Sequence, residues 1–506
     1  MLALAFSATM IGVDGHLVRV EADSAPGTPG LAIIGLPDRA LNEARDRVRT
    51  AIHHCGYVYP AGRLLVNLSP ADLRKEGSAF DLAIALALLA LDEQVDRAAL
   101  RRFVALGEIA LDGAVRPVAG ILPMVAGARD AGLTAALVPR ENGDEAALVD
   151  GMEIYAVRTL HEAVGTILGN GATYKHDPSD DGRVLHADPS LHGDLADVRG
   201  QCAAKRALEI AAAGGHNLLF VGPPGCGKTM LARRLPSILP PMDAREALEV
   251  TKIYSVAGLL PPGSGIARAR PFRAPHHTAS RIALAGGGAR IRPGEITLAH
   301  NGVLFLDELP EFGRASIEVM RQPLEEGLLT IARAAGHVTY PARFQLIASM
   351  NPCPCGMRGV RDAACRCDDA AVARYTAKIS GPLLDRIDLR VELGRVRFDE
   401  MISRQRAESS STVRERVYTA RERQRQRFQE APFSCNAAVP GDAVRRWCTL
   451  DPPATELLAR AAERHRFSAR ALDRIARVAR TIADLAGREQ VGADDAAEAL
   501  HYRTLG

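Results

Sequence analysis

The stretch Gly222-Pro-Pro-Gly-Cys-Gly-Lys228-Thr229 decides the fold of this chain. It fits the pattern G-x-x-x-x-G-K-[ST], in which glycines let backbone N–H groups turn toward phosphate oxygens. An apolar run at residues 217–221 precedes it and a helical pattern at residues 230–235 follows it, as a strand–loop–helix P-loop requires. The sequence therefore predicts a nucleoside triphosphate site at the end of a strand in an α/β sheet.

The residues of this P-loop have distinct predicted roles in binding ATP. Lys228 is expected to reach the β- and γ-phosphates, and Thr229 to ligand Mg²⁺. Cys226 is expected to be a small filler, although a thiol at this place would make the site sensitive to oxidation. The residues of this segment predicted to bind the cofactor are Gly222, Pro223, Pro224, Gly225, Cys226, Gly227, Lys228, Thr229 and Met230.

Composition limits the classes of protein to consider. A length of 506 residues favours about three domains. A formal net charge of +3 excludes a basic coat for nucleic acid, so any polyanion site is a local patch. The longest apolar run, residues 82–91, is too short to cross a bilayer, and residues 1–6 lack the basic start of a signal peptide. Because the cysteine spacings suit a metal rather than a disulfide framework, we predict a cytoplasmic protein without membrane contact.

The chain is predicted to be an α/β multidomain protein with a helical C-terminal end. Residues 1–168 alternate β-rich runs with helical patterns and predict a compact α/β domain. Residues 169–195, rich in Asp, Gly, Ser and His, predict a linker. Residues 196–398 predict a second α/β domain with a parallel sheet around the P-loop. Residues 399–506 predict a helical domain that covers it.

Two further strand ends predict the rest of a hydrolytic site. The apolar strand Val303-Leu-Phe-Leu ends at Asp307-Glu308, where Asp307 would hold Mg²⁺ and Glu308 would polarise the attacking water. The alternative is a core strand that ends in a solvated acidic pair. A second apolar strand, residues 344–350, ends at Asn351. That amide would bond the γ-phosphate and the water, or else form an ordinary Asn-Pro turn.

A cation and a helix start complete an order of motifs that resembles a known family. Gly381-Pro-Leu-Leu-Asp-Arg386-Ile-Asp388 offers, in Arg386, a planar cation for a neighbouring subunit's γ-phosphate. Ser468-Ala-Arg470 opens a helix near the C-terminus. In this order the motifs resemble AAA+ ATPases of the magnesium-chelatase-like branch, and most narrowly the ComM/YifB proteins. Further stretches that carry the resemblance are Val198-Arg-Gly-Gln201, Pro271-Phe-Arg-Ala-Pro-His-His-Thr278 and Asn351-Pro-Cys-Pro-Cys-Gly356.

The resemblance covers essentially the whole chain and implies roles for named residues. Asn351 would be sensor 1, Arg386 the arginine finger and Arg470 sensor 2, while Gln201 would lie near the adenine. Whether Arg470 acts in its own subunit or across an interface is left open. Because a finger comes from a neighbouring subunit, the resemblance implies a homo-hexameric ring. The predicted catalytic residues are Lys228, Asp307, Glu308, Asn351, Arg386 and Arg470.

A cationic insert between the P-loop helix and the Asp-Glu strand is a candidate contact for DNA. From Gly263 to Gly294 the chain has no Asp or Glu, and Gly286-Gly-Gly288 would make a flexible tip. A local basic segment in a nearly neutral protein suits a polyanion. The alternative is a set of ion pairs between subunits. The candidate DNA contacts in this insert are Arg273, His276, His277 and Arg281.

Residues 328–340 form the second candidate for a DNA contact. Two β-prone runs around a glycine-containing turn predict a hairpin, where the family has its pre-sensor hairpin. Arg333 and His337 near its tip are the predicted contacts, and an ordinary surface hairpin is the alternative.

The Arg-rich stretch from Ser403 to Gln429 predicts one long helix. Because such charge runs are usually solvated faces, we treat it as a secondary DNA or subunit contact.

Four cysteines directly after Asn351 predict a structural zinc site. Cys353 and Cys355 form one C-x-C pair, and Cys365 and Cys367 form another. Four thiolates on one short loop would bind Zn²⁺ tetrahedrally and hold together a segment without a core of its own. Reduced free thiols are the alternative.

Residues 1–168 resemble the Lon-protease-like domain of the same family but depart from the protease pattern. The segment Lys75-Glu-Gly-Ser78-Ala is one residue shorter than the stretch that holds the Lon nucleophile. In Ala119-Gly-Ile-Leu122-Pro, Leu122 stands where the catalytic Lys is expected. A Ser–Lys dyad needs that amine as its base. We therefore expect a non-proteolytic scaffold or binding module.

The sequence predicts an ATP-hydrolysing motor that acts on single-stranded or branched DNA. The ATPase part follows from residues, and the DNA part from the basic segments and the family resemblance. That resemblance implies a hexameric branch-migration helicase used in recombination during natural transformation. A protein-remodelling or magnesium-chelatase-like ATPase is one alternative. An ATP-gated regulatory protein that does not translocate is the other.

Overall fold

The structure is a computed structural model of the full chain. It describes residues 2–174, 193–261, 265–288, 291–333, 336–360, 364–396, 400 and 407–504. Most of the predicted linker lies outside these residues, as do Arg290 of the insert and Arg404 and Arg406 of the Arg-rich stretch. Within the described ranges, no helix is both long and apolar enough to cross a membrane.

Residues 2–174 fold into a mixed sheet with helices packed on both faces. The strands are β1 (Leu2–Ile11), β2 (Asp14–Ala25), β3 (Gly30–Ile34), β4 (Arg63–Ser69), β5 (Phe103–Ala105), β6 (Glu108–Ile109), β7 (Val115–Arg116), β8 (Ala135–Pro139) and β9 (Glu153–Val157). The helices are α1 (Arg39–His54), α2 (Asp81–Leu91), α3 (Arg97–Leu100), α4 (Ile121–Asp130), α5 (Gly143–Ala146) and α6 (Leu160–Gly165).

The sheet of this N-terminal region has the order β3-β4-β2-β1-β5-β8-β9, and β6 pairs with β7 outside it. β2 runs antiparallel to β1 and β4, whereas the other pairs of the large sheet are parallel. Helix α2 is apolar on every side after its first residue, Asp81, and all 11 of its residues are buried. A helix without a polar face belongs in a core, so the longest apolar run of the sequence is a central packing element.

Residues 193–396 form a second α/β region. Its strands are β10 (Leu218–Val221), β11 (Phe272–Arg273), β12 (Gly286–Gly287), β13 (Arg292–Pro293), β14 (Val303–Leu306), β15 (Leu328–Arg333), β16 (Gly336–Pro341), β17 (Gln345–Met350) and β18 (Leu389–Glu392). Its helices are α7 (Cys202–Gly214), α8 (Lys228–Ile238), α9 (Ala244–Ala257), α10 (Arg281–Ala285), α11 (Glu295–Leu298), α12 (Arg314–Glu318), α13 (Arg321–Glu326), α14 (Asp369–Thr376) and α15 (Gly381–Leu384).

The sheet of this region is parallel throughout, in the order β11-β14-β17-β10-β18. Every residue of β14 and β17 is buried, as expected for strands with helices on both faces. Because parallel strands end at a common edge, the segments after β10, β14 and β17 meet there. These are the P-loop, Asp307-Glu308 and Asn351. The predicted P-loop core with a parallel sheet is confirmed.

The remaining described residues, 407–504, are helical as predicted. Their helices are α16 (Ser410–Arg427), α17 (Val444–Trp447), α18 (Pro452–His465), α19 (Ala469–Leu485) and α20 (Ala493–Thr504). The prediction of one helix from Ser403 was wrong at its start. Ser409 has an extended backbone and its side chain accepts from the N–H of Thr412, so the helix begins at Ser410. Helices α16, α19 and α20 share a hydrophobic core with α7 and the parallel sheet.

The N-terminal region packs against α9. The N–H of Gly120, just before α4, donates to the carbonyl of Ser255 at 3.1 Å. The carboxylate of Glu145 accepts from the Ser255 hydroxyl and from the N–H of Leu122. Leu248 adds an apolar contact to the cluster around α4. Burial raises the pKa of Glu145, and the hydrogen bonds from Ser255 and Leu122 oppose that shift.

Candidate nucleotide site

The P-loop folds tightly because three of its glycines permit close approach or a left-handed backbone. A Cβ on Gly222 would lie 2.6 Å from the carbonyl oxygen of Leu393, and Gly225 and Gly227 have φ of +77° and +95°. The Nζ of Lys228 donates to the carbonyls of Gly222 at 2.6 Å and Pro223 at 3.0 Å. Burial lowers the pKa of Lys228, which an incoming phosphate would counteract.

The acidic strand end lies against the first turn of α8. The hydroxyl of Thr229 donates to one carboxylate oxygen of Asp307 at 2.7 Å. The other oxygen accepts from the Ser349 hydroxyl. A hydroxyl beside a carboxylate is a donor set that fits Mg²⁺, so Thr229 and Asp307 would hold the cation and Ser349 would orient the carboxylate.

Glu308 follows in a left-handed conformation, with φ of +55°. Its N–H is 3.1 Å from Asp307 Oδ1 and 3.2 Å from Ser349 Oγ. The side chain stays half exposed, with one carboxylate oxygen 3.6 Å from Nδ1 of His277. The left-handed backbone changes the direction of the chain at Glu308. The Glu308 carboxylate therefore faces His277, whereas the Asp307 carboxylate faces Thr229.

Asn351 lies at the end of the neighbouring strand and meets the P-loop. Its Oδ1 accepts from Lys228 Nζ at 3.0 Å. Burial raises the pKa of Tyr375 to about 12, and the Tyr375 side chain is hydrogen bonded to the backbone of Asn351. The structure therefore brings Lys228, Thr229, Asp307, Glu308 and Asn351 together at one edge of the sheet.

Gln201 and Cys226 border the same loop from its other side. The side-chain amide of Gln201 donates to the carbonyls of Cys226 at 3.2 Å and Gly394 at 2.8 Å. Cys226 is buried, and burial raises the pKa of its thiol. Because a buried, protonated thiol reacts slowly with oxidants, Cys226 fits the predicted role of a small packing residue better than that of an oxidation-sensitive group. Met230 is 39% exposed at the start of α8.

Arg386 and Arg470 form a second cluster. The guanidinium of Arg386 pairs with Glu325 on α13 and donates to the Pro382 carbonyl at 2.5 Å, while its Nε is buried without a hydrogen-bond partner. Burial lowers the pKa of Arg386, as do the nearby cations Arg321, Arg474 and Arg470. Among the contacts of the described residues, none joins this cluster to the P-loop of the same chain.

A buried polar network holds the Arg386 segment against the C-terminal helices. Asp388 accepts from Arg474 on α19 at 2.7 Å and lies 3.2 Å from Nδ1 of His216. The other ring nitrogen of His216 is 2.8 Å from the Thr481 hydroxyl. Burial alone would raise the pKa of Asp388, but the bond to His216 and the charge of Arg474 hold it well below its ordinary value. Arg386 and the helix of Arg470 are thereby fixed to one another.

The predicted cysteine cluster is assembled in the structure. The sulfur atoms of Cys353, Cys355, Cys365 and Cys367 all lie within 4.8 Å of one another. The Sγ of Cys353 is 3.4 Å from that of Cys355 and 3.7 Å from that of Cys365. Backbone N–H groups of Arg366 and Met357 lower the pKa of Cys355 to about 6. Such an arrangement favours a thiolate at Cys355, the form that ligates metal.

The predicted DNA contacts in the insert have different surroundings. Arg273 is half-buried and makes two bonds to Glu295, at 2.6 and 2.7 Å, so its guanidinium has a partner in its own chain. The rings of His276 and His277 are tilted by 33° with centroids 4.1 Å apart, and His277 faces Glu308. Arg281 is exposed at the first turn of α10. Within the insert, Arg281 and His276 are thus the exposed candidates, whereas Arg273 and His277 are half-buried.

The predicted hairpin is confirmed as the antiparallel pair β15–β16. Leu328 opposes Pro341 and Arg333 opposes Gly336. His337 is exposed close to the tip, and the backbone places Arg333 there as well. On the other side, Thr339 and Val338 approach the β1–β2 turn at Gly12. The middle of the hairpin, directly beside His337, thus touches the N-terminal region.

The protease-like segment of the N-terminal region lacks a converging nucleophile and base. The Ser78 hydroxyl donates to Glu108. Lys75 is fully buried and donates to the Pro70 carbonyl. Leu122, at the position expected for the catalytic lysine, is buried in α4. No contact among the described residues joins Lys75 to Ser78 as a dyad would require.

Several residues that complete the site were missed in the sequence. Ser349 was overlooked because it is a single polar residue in an apolar strand, and its spacing of two from Asn351 was the available signal. His216, Asp388 and Arg474 gave no local signal, because their contacts join distant parts of the chain. His277 was predicted as a DNA contact, whereas the structure places it beside Glu308.

Comparison with known protein families agrees with this architecture. Residues 194–401 match the family described as magnesium chelatase, subunit ChlI. Residues 20–142 match subunit ChlI of Mg-chelatase, and residues 407–503 match the subunit ChlI C-terminal family.

Three relatives align over the full length of this chain. An uncharacterized protein of Mycobacterium tuberculosis is 46% identical over 508 residues, 100% of this chain and 99% of its own. Competence protein ComM of Haemophilus influenzae is 42% identical over 511 residues, 100% of this chain and 98% of its own. The uncharacterized protein YifB of Escherichia coli is 41% identical over 507 residues, covering 100% and 97%. A shorter match, 41% over 69 residues, covers 13% of this chain and 12% of Lon protease 2 of Bacillus subtilis.

Proposed function

The chain belongs to the ComM/YifB family of magnesium-chelatase-like AAA+ ATPases, and on that basis we propose that it is a ring-forming motor that moves DNA. The observation that carries the ATPase part is the convergence of Lys228, Asp307, Glu308 and Asn351 at one edge of a parallel sheet. Lys228 would bind the β- and γ-phosphates, Thr229 and Asp307 would hold Mg²⁺, and Glu308 would polarise the water.

Action on DNA is supported by two exposed side chains that can bond phosphate. Arg281 on the insert and His337 near the hairpin tip are exposed, and the surrounding insert has no acidic residue before Glu295. The name of the Haemophilus relative, a competence protein, favours branched or single-stranded DNA taken up from outside. We therefore propose branch migration during natural transformation as the biological activity, with Arg273, His276, His277 and Arg333 as secondary contact candidates.

A DNA-dependent assay tests this proposal. ATP hydrolysis by the full chain is measured alone, with single-stranded DNA and with forked DNA, and strand separation is followed on forked and three-stranded substrates. We expect DNA to stimulate hydrolysis and strands to separate. Hydrolysis without stimulation or strand separation would overturn the DNA proposal and favour a protein-remodelling motor or a non-translocating regulator.

Charge-reversal variants localise the DNA contact. Arg281→Glu combined with His337→Glu is expected to weaken stimulation by DNA at least about tenfold, because the first change reverses a charge and the second puts a negative charge where an imidazole could bond phosphate. Arg460→Glu is the matched control, since Arg460 is an exposed arginine on α18. Equal loss in the control would assign the effect to overall charge instead of these two positions.

We propose a homo-hexamer in which Arg386 acts on the neighbouring subunit's ATP. The support is chemical. Arg386 belongs to a cationic cluster without a described contact to its own P-loop, and its Nε has no partner in the single chain. Subunits carrying Arg386→Ala are mixed with subunits carrying Glu308→Gln. Recovered hydrolysis would support action across an interface, and none despite assembly would contradict it.

We also propose that Cys353, Cys355, Cys365 and Cys367 bind one structural Zn²⁺. Tetrahedral zinc with Zn–S of about 2.3 Å places sulfurs about 3.8 Å apart, close to the distances of 3.4 and 3.7 Å found between these thiols. Metal analysis of purified protein is expected to give one zinc per chain. Protein purified without chelators that contains no zinc would favour reduced free thiols.

A further inference from the structure

The loop that carries the four cysteines lies directly on the P-loop. This cysteine loop, residues 353–367, begins two positions after Asn351. A Cβ added to Gly356 would come within 2.7 Å of Cδ and 3.0 Å of Cγ of Pro224, and 3.7 Å of the Asn351 side-chain carbon. The backbone at Gly356 thus packs closely against Pro224 of the P-loop and against Asn351, which accepts from Lys228.

The contact surface is part of the metal-binding turn. The N–H of Gly356 donates to the carbonyl of Cys353 at 2.9 Å, and Cys355 immediately precedes it. Two of the four thiols therefore belong to the turn that touches Pro224. The other two, Cys365 and Cys367, lie close to α14, whose Tyr375 bonds the backbone of Asn351.

The cysteine loop has little else to hold it in this position. Among its described residues, 353–360 and 364–367, Cys353 and Gly356 are buried and the others are half-buried or exposed. A segment that buries so little apolar surface cannot offset the entropy lost in ordering it. A metal that joins thiols from both ends of the loop supplies the missing constraint.

We propose that metal bound by the cysteine loop sets the affinity of the P-loop for ATP, because the metal holds Gly356 against Pro224. This inference rests on the proposed zinc site and adds a regulatory role to it. When the loop carries its metal, Pro224 and Asn351 are supported from outside and Lys228 is fixed between them. When the metal is lost, that support is lost and the site must be ordered by the nucleotide itself, which weakens binding.

Removal of the metal is the first test. Wild-type protein and a Cys365→Ser/Cys367→Ser variant are compared for zinc per chain and for the Kd of a fluorescent ATP analogue. We expect the variant to lose zinc and to bind the analogue at least tenfold more weakly, while Cys55→Ser, in the N-terminal region, changes neither. Zinc absent from the wild type would overturn the zinc site itself. Zinc lost with unchanged affinity in a folded variant would overturn only the coupling.

A pair of glycine variants tests the contact with the metal left in place. Gly356 and Gly359 have nearly equal backbone strain, with φ of +77° and +79°, but a Cβ on Gly359 meets nothing within 4 Å. We expect Gly356→Ala to keep its zinc and to bind the ATP analogue at least fivefold more weakly than Gly359→Ala. Equal affinities in the two zinc-loaded variants would overturn the coupling, even if the serine variants failed to fold.

Discussion

Lys228 in the P-loop region and Lys75 in the N-terminal region are both buried, and burial lowers the pKa of both ammonium groups. Each also donates to backbone carbonyls a few residues away, Lys228 to Gly222 and Pro223, and Lys75 to Pro70. Judged by burial and pKa alone, either lysine would qualify as a candidate for chemistry.

The two lysines differ in what converges on them. Lys228 also donates to Asn351, and the charges of Asp307 and Glu308 act on it from the end of β14. Lys75 has the carbonyl of Pro70, and the nearby Ser78 hydroxyl donates to Glu108 instead. A perturbed lysine thus indicates a site only where separate strand ends bring complementary groups to it.

The largest expected effect separates the two lysines directly. Lys228→Ala should lower kcat/KM for ATP at least about 100-fold, because it removes a cation from the developing phosphate charge. Lys75→Met, which keeps the side-chain volume, should leave ATP hydrolysis within about twofold. Steady-state ATPase assays on both variants measure this. A folded Lys75→Met protein without ATPase activity would break the comparison.

The acidic groups allow a second contrast. Glu308→Gln should reduce kcat about 100-fold while the Kd for an ATP analogue stays within about threefold, because the water loses its polarising carboxylate but Thr229 and Asp307 are intact. Glu108→Gln, beside Ser78, is the N-terminal control and should leave kcat unchanged. If Glu308→Gln hydrolysed ATP at the wild-type rate, the proposed role of Glu308 would be wrong.

A third prediction concerns how the cationic cluster is held. Asp388→Asn should lower the free energy of unfolding by about 3 kcal/mol at pH 7, since it removes the charge of a buried carboxylate that is paired with Arg474. Asp385→Asn, three residues earlier, should cost less than about 1 kcal/mol, because the Asp385 carboxylate that pairs with Arg503 is 62% exposed. Urea unfolding of the two variants and the wild type gives both values.

The pH dependence of Asp388 has a definite sign. Because the folded pKa of Asp388 lies below its ordinary value, the stabilisation is present above about pH 4 and is lost as the pH falls through the folded pKa. The gap between the wild type and Asp388→Asn should therefore narrow on acidification. A gap that widened at low pH would show that Asp388 is not held as the charged form.

The parts that could be predicted from the sequence are those encoded locally. The strand before Gly222, the strand ending at Asp307 and the hairpin at 328–341 each carry an apolar run and a turn signal within a few residues. Since parallel strands share a carboxyl edge, the meeting of these strand ends follows from topology alone.

The parts that could not be predicted depend on long-range packing. Arg273 was predicted as a candidate DNA contact because the insert has no acidic residue, and its pairing with Glu295, one position beyond that insert, was not foreseen. The bond between Asp388 and His216 joins residues far apart in the chain. The closeness of Gly356 to Pro224 likewise depends on how two loops pack, which no local pattern records.

The smallest expected effect lies in the N-terminal region and completes the contrast. Ser78→Ala removes a hydroxyl whose bond to Glu108 occupies it, and Leu122 offers no amine to activate it. We expect the variant to lose about 1 kcal/mol of stability, to hydrolyse ATP at the wild-type rate and to match the wild type in showing no cleavage of casein. If the wild type cleaved casein and Ser78→Ala did not, a base at some other position would have to activate Ser78. Both regions would then be catalytic.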